Sequence, residues 1–178
     1  MQILTISGSL RANSTNTALL RALALVAPSD VEVTLYEGLG ELPMFNPDIE
    51  ATDPPTIAKL RAQIVNADAV VIASPEYAHG VTGVLKNALD WMVGSGAFVE
   101  KPVALFNASS RAVHARDSLK ETLTMMSALV VENAYAEIDL IGSQISADEI
   151  AADPQKSALL RSALSVLCDA AINMRVDA

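Results

Sequence analysis

The chain holds a single cysteine, Cys168, so neither an intramolecular disulfide nor a cysteine-built metal cage is available to it. Histidine is nearly as scarce. With only His79 and His114, a zinc site would need several carboxylates, and the sequence shows no such cluster, so no metal site is expected. Aromatic residues make up 4% of the 178 positions, which leaves the core to Ala, Val, Leu and Ile. Basic side chains are a minority: 12 Lys and Arg face 21 Asp and Glu, for a net charge of −9. A chain with this balance has no general counter-charge for phosphate backbones or anionic lipid surfaces. Neither nucleic acid nor a membrane is therefore an expected partner. No stretch approaches the roughly 18 consecutive apolar residues of a membrane span. Met1–Gly8 also lacks the basic opening and the longer apolar run of a signal peptide, so the expected location is the cytoplasm.

What is present is a well-covered core in sequence form. Hydrophobic residues make up 51% and charged residues 19%, the balance of a globular chain. At about 150 residues per domain, one domain over residues 1–178 is expected. Short apolar runs alternate with segments of helical period. The runs are Ile3–Ile6, Val31–Leu35, Ala69–Ala73, Val103–Phe106 and Leu129–Val131. Val31–Leu35 alternates and suits a half-wet strand, whereas Ala69–Ala73 does not and suits a central strand covered on both faces. Between the runs, Leu19, Leu20, Leu23 and Val26 form one helical stripe, and Val84, Leu85, Ala88, Leu89 and Met92 form another. Leu159, Leu160, Ala163, Leu164 and Leu167 repeat that spacing near the C-terminus, with Cys168 on the same packed side. Asp53-Pro54 and Asp153-Pro154 each place an acceptor at a helix N-cap and proline at the first helical position. Ser146-Ala147-Asp148-Glu149 reads as a capping box. Five β–α alternations predict a parallel sheet with helices on both faces and right-handed crossovers. Five strands favour the doubly wound order 2-1-3-4-5 over the six-stranded dinucleotide type.

In such sheets ligands bind beyond the carboxyl ends of the strands. The loop after the first strand, Ser7 to Thr17, is rich in hydroxyls and leads into a helix. A phosphate there would meet free backbone N–H groups, a helix dipole, several hydroxyls and the Arg11 guanidinium. Gly8 is its only glycine and no Gly-Lys-Ser/Thr follows, so it is neither a dinucleotide fingerprint nor a P-loop and better suits a phosphomonoester. The same residues also read as a polar turn capped by Ser14, with Arg11 solvated. After the third strand, Ser74 to Gly83 carries a proline, an aromatic and two glycines where a short turn would do. That segment suits a flat heterocycle, with Tyr77 available for stacking. After the fourth strand, Asn107-Ala108-Ser109-Ser110-Arg111-Ala112 is expected on the opposite side of the same pocket.

Together these strings resemble the NAD(P)H-dependent FMN reductase family, on the flavodoxin-like fold. The likeness rests on Gly8-Ser9-Leu10-Arg11 with Ser14 and Asn16, then on Pro75-Glu76-Tyr77 continuing through Gly83-Val84-Leu85-Lys86-Asn87-Ala88-Leu89-Asp90-Trp91. It implies a three-layer sandwich and bound FMN. Ser9, Arg11, Ser14, Thr15 and Asn16 would cradle the phosphate. Pro75, Glu76, Tyr77 and Ala78 would lie against the isoalloxazine ring, with Ser109 and Ser110 on the far rim. Lys86, Asn87, Asp90 and Trp91 would support the loop and a subunit contact in a homodimer or homotetramer. The implied activity passes two electrons, ping-pong, from NADPH or NADH through FMN to a small acceptor: a quinone, azo compound, nitroaromatic, metal oxyanion or free flavin. No side chain is required as acid or base, and the sequence does not choose between the two nucleotides.

The chain departs from the family pattern at three places. Ala78 and then His79 stand where relatives carry Asn or His directly after Pro-Glu-Tyr. Ser110-Arg111-Ala112-Val113-His114 replaces a glycine-rich run. Thr82 stands where many relatives have proline, an exchange expected to be harmless because both start helices. A flavodoxin-type electron carrier is the rival reading, and its docking to a basic partner would suit the charge of −9. Arg11 and the long second string argue against it. A receiver-like signalling module needs acidic residues where Ser7-Gly8 and Ser74-Pro75 stand, so that reading fails.

Overall fold

The structure, a computed structural model, describes residues 1–140 and 144–176. In chain order its elements are β1 (Gln2–Ser7), α1 (Thr15–Val26), β2 (Glu32–Tyr36), α2 (Pro47–Glu50), α3 (Pro55–Asn66), β3 (Ala69–Ala73), α4 (Gly83–Val93), β4 (Pro102–Asn107), α5 (Val113–Met125), β5 (Leu129–Val130), β6 (Ala136–Glu137), α6 (Ala147–Ala152) and α7 (Pro154–Val176). Single 3-10 turns occur at Leu39–Glu41 and Glu132–Ala134.

Strand pairing follows from which apolar runs are covered. β3 is buried throughout and sits at the centre, while β2 alternates and takes the edge. The parallel order is β2-β1-β3-β4-β5, with Ile3 opposite both Val33 and Ala69, and Val70 opposite Val103. This is the expected flavodoxin-like arrangement. Along the central strands, side chains go alternately to two cores. Ile3, Val71, Ala73, Ala104 and Phe106 pack with α1, α6 and α7 through Leu20, Leu23, Ile150, Leu160 and Leu164. Leu4, Ile6, Val70, Ile72, Val103 and Leu105 pack with α3, α4 and α5 through Leu60, Ile64, Leu85, Met92 and Leu123. The result is a three-layer sandwich. α7 is long and apolar enough to pass a length test for a membrane span, but its stripe of Leu160, Ala163, Leu164 and Leu167 is spent on the first core.

Three local expectations are corrected. The fifth strand position is filled in two steps: β5 pairs with Pro102–Val103, the chain leaves through the 3-10 turn, and β6 returns to pair with Phe106–Asn107. The helix expected from Pro54 begins one residue later. A residue before proline is pushed out of the helical region, so Pro54, preceding Pro55, is extended (φ −52°, ψ 135°) and caps with no side chain. Asp53 instead pairs with Arg61 in a bidentate contact at 2.9 Å to each oxygen. The other caps agree with expectation. Asp153 accepts from the Gln155 and Lys156 N–H groups, Ser146 and Glu149 close a full capping box, and Ser14 accepts from Thr17 N–H.

Candidate functional site

At the carboxyl ends of β1 and β3 the chain forms a cleft of about 760 Å³. That is within the size range of small-molecule and cofactor sites, about 300–1,000 Å³. Ser9, Arg11, Ser14, Thr15 and Asn16 line it from the β1–α1 loop, and Pro75 and Tyr77 from the β3–α4 loop. The loop holds its shape by internal bonds. Ser7 Oγ contacts Thr17 Oγ1 at 2.8 Å, Ser9 N–H donates to Ser7 Oγ, and Arg11 N–H donates to Ser9 Oγ. Ser14 accepts from Thr17 N–H and keeps its own hydroxyl proton to donate. The first turn of α1 has backbone N–H groups with no intrahelical partner, and the positive end of its dipole faces the same side. Asn16 is 7% exposed, and among the described residues its Oδ1 is buried without a hydrogen-bond partner. A buried polar atom left this way costs stability unless something else meets it.

Stitching between loops fixes the two walls. Gly8 N–H donates to Ala73 O at 2.8 Å, and Thr82 Oγ1 donates to Gly8 O at 2.6 Å while accepting from Leu85 N–H. Thr82 is thus both the cap of α4 and a tie between loops, which the sequence did not suggest. Behind that tie, Asn87 and Trp91 of α4 bind the 43–45 segment. Asn87 accepts from Phe45 N–H and donates to Pro43 O, and Trp91 Nε1 donates to the same carbonyl at 2.8 Å. Lys86 and Asp90 pair with each other on the outer side.

Glu76, Ala78, Ser109 and Ser110 do not line the cleft. The Glu76 carboxylate turns away and accepts from Ala115 N–H at 2.8 Å, in the first turn of α5. Ala112 gives that helix no side-chain cap, so Glu76 serves as a cap from another loop. Tyr77 and Gly80 exchange both backbone hydrogen bonds at 3.0 Å around Ala78 (φ 50°) and His79 (φ 61°). That is a two-residue turn of the type usually given to Asn-Gly. Ser109 Oγ accepts from Arg111 N–H, and Ser110 donates to Asp139, next to the cleft residue Leu140. Ser109 therefore supports its own turn, and Ser110 ties the β4–α5 loop to the segment after β6.

The cleft also includes residues the sequence reading passed over: Arg21 on α1, and Gln144, Ser146 and Asp148 at the start of α6. Arg21 lies four residues beyond Thr17 and seven beyond Ser14, the same helical face, so spacing alone was the available signal. A second grouping is new. His79 and His114 stack with ring centroids 4.1 Å apart, and one ligating atom each of Glu76, His79 and His114 lie within 4.8 Å of one another.

Residues 1–141 match the family described as NADPH-dependent FMN reductase. The chain belongs to that family. A quinone reductase of Escherichia coli is 33% identical over 138 residues, 74% of this chain and 73% of the relative. An NAD(P)H-dependent FMN reductase of Pseudomonas aeruginosa is 36% identical over 132 residues, 71% of each chain. Among solved structures, a flavoenzyme NAD(P)H:(acceptor) oxidoreductase of Paracoccus denitrificans superposes with a TM-score of 0.78 at 26% identity, covering 97% of both chains. As a member of the FMN reductase family, the protein is an oxidoreductase that uses FMN and NAD(P)H, and the electron-carrier alternative is not favoured.

Proposed function

We propose that the 760 Å³ cleft is the FMN site, and that a nicotinamide donor and then a small acceptor, a quinone first among the candidates, use its Tyr77 side in turn. The carrying observation is a cleft that gathers a helix N-terminus, two guanidinium groups and several hydroxyls, beside a buried, unpartnered acceptor, Asn16 Oδ1, that suits a hydroxyl or N–H of the same ligand. That donor set suits a phosphomonoester dianion. FMN, when bound, supplies the hydride-accepting and two-electron chemistry.

The chain's part is to bind and orient. Arg11 gives a charge-assisted contact to the phosphate, and Ser9, Ser14 and Thr15 donate hydroxyls beside the first-turn N–H groups of α1. Asn16 meets a ligand group through an amide otherwise shut away from water. Pro75 and exposed Tyr77 form the wall for the flat ring, and Ala78, outside the cleft lining, belongs to the turn that follows them. Glu76 sets that wall by holding α5. Ser109 and Ser110 have no part in the cleft lining, and Ser110 holds Asp139, the neighbour of the lining residue Leu140. No side chain is asked to move a proton.

The quinone reductase relatives support a quinone acceptor. Exposed Met44, in the segment that α4 anchors, and Val93, at the end of α4, support a homodimer or homotetramer built on that face. Dependence on NAD(P)H supports a cytoplasmic place of work.

The test is FMN binding by fluorescence quenching in wild type, Arg11→Ala and Asn16→Ala. Loss of a charge-assisted hydrogen bond is worth about 1.5–3 kcal/mol, so Arg11→Ala is expected to weaken FMN by about ten- to hundredfold. Riboflavin, which lacks the phosphate, should bind wild type and Arg11→Ala alike. Equal loss for riboflavin would move the phosphate elsewhere.

A further inference from the structure

Two departures from the family pattern, His79 after Ala78 and His114 in place of a glycine-rich run, meet in space. They lie 35 positions apart in sequence, on the loop after β3 and in the first turn of α5, and adjacent parallel strands bring those segments together. We propose that Glu76, His79 and His114 form a binding site for a divalent transition-metal ion, zinc or its neighbours nickel and copper, clamping the β3–α4 loop to the start of α5.

Three features carry this. First, the donor set is complete in type: a carboxylate with two imidazoles, and imidazole is the ligand that zinc shares with nickel and copper and that magnesium and calcium do not prefer. Second, the ligating atoms already lie within 4.8 Å of one another. Metal–nitrogen bonds of about 2.0–2.1 Å place tetrahedral donors roughly 3.4 Å apart. Closing that gap asks the two exposed imidazoles to turn out of their stack. Third, the carboxylate is already oriented. Glu76 Oε2 accepts from Ala115 N–H at 2.8 Å, leaving its other oxygen for a cation. Metal ligands are commonly held by such an outer hydrogen bond. His79 itself is held by the two hydrogen bonds of the Tyr77–Gly80 turn.

Three protein ligands leave at least one coordination position open to water or an incoming group. None of the three lines the cleft, yet Glu76 lies between Pro75 and Tyr77, which do. An ion here stiffens that wall from outside. The proposal does not rest on FMN being in the cleft, because metal binding is read directly.

The test uses tag-free protein, so that no added histidine competes. Zinc is titrated against a chromophoric chelator with wild type, His79→Asn and His114→Gln. Asn is chosen at 79 because it tolerates the left-handed backbone there. The expected result is about one zinc per chain, weakened by about tenfold or more in each variant, with metal-free melting temperature and FMN affinity unchanged. As a second readout, copper added to wild type should show electron-spin splitting from two nitrogen ligands, reduced to one in either variant. Failure of wild type to compete for zinc would overturn the proposal. So would zinc binding that both variants retain, because the ion would then sit on other carboxylates.

Discussion

Thr82 shows how much one side chain settles near the cleft. Its hydroxyl accepts from Leu85 N–H at the start of α4 and donates to Gly8 O at 2.6 Å, from a position that is 6% exposed. Replacing a capping threonine by alanine costs about 1 kcal/mol, and a buried carbonyl left without its donor adds about 1–3 kcal/mol. Thr82→Ala is therefore expected to lose about 2–4 kcal/mol by urea denaturation, with Thr82→Ser recovering most of it. A loss confined to the cap term would show that the tie to Gly8 contributes nothing. Only half of this role was legible in the sequence. A threonine three residues before Leu85 announces a cap, but the Gly8 contact spans 74 positions and exists only because β1 and β3 are neighbours. The expectation that threonine at 82 starts the helix as proline would is met by the cap, and the bond to Gly8 O is an addition that proline, without a hydroxyl, could not make.

Among elements, the loops carry the argument and the strands hold them close. Gly8 is needed for space rather than for backbone freedom. A Cβ there would stand 2.6 Å from Ser74 Oγ and 2.9 Å from Ser74 Cβ. Gly8→Ala should cost about 1–3 kcal/mol, as overpacking does, and weaken FMN as the two loops part. Adding Ser74→Gly should restore most of both, and a double variant no better than the single would refute the steric account. The five long elements and the two principal loops could be read from apolar runs and from the Arg11 and Pro75-Glu76-Tyr77 strings. What escaped had weak local signal. β6 is two residues long, too short to show a period. α2 is one turn, capped by Asn46 and opened by Pro47. The Glu76–His79–His114 grouping needed the β3–β4 adjacency before it could be seen at all.

Across the whole molecule, the two ends of the chain meet at Asp68. Its carboxylate accepts from Gln2 N–H in β1 at 2.7 Å and pairs with Arg175 at the end of α7. Burial alone would raise this carboxyl. The Gln2 N–H, the Arg175 guanidinium and the nearby N-terminal ammonium outweigh that and hold it below the ordinary range. A carboxyl whose folded value is lowered adds stability above its unfolded value, about 3.9, and loses it as pH falls through the folded value. Asp68→Asn should thus be less stable than wild type by about 1–3 kcal/mol near neutral pH. The gap should narrow only below about pH 4. Chemical denaturation of both proteins from neutral to acid pH checks this, and a gap that does not change with pH would contradict it.

The same global arrangement sets the central claim, that one cleft serves donor and acceptor in turn through bound FMN. The most direct measurement is the visible spectrum of the FMN-loaded protein, mixed without oxygen first with NADPH or NADH alone and then with a quinone. Flavin absorbance is expected to be lost on the nucleotide alone and to return on the quinone, each step at least as fast as steady-state turnover. Flavin that stays bound and oxidised until both substrates are present would contradict the sequential use of one site.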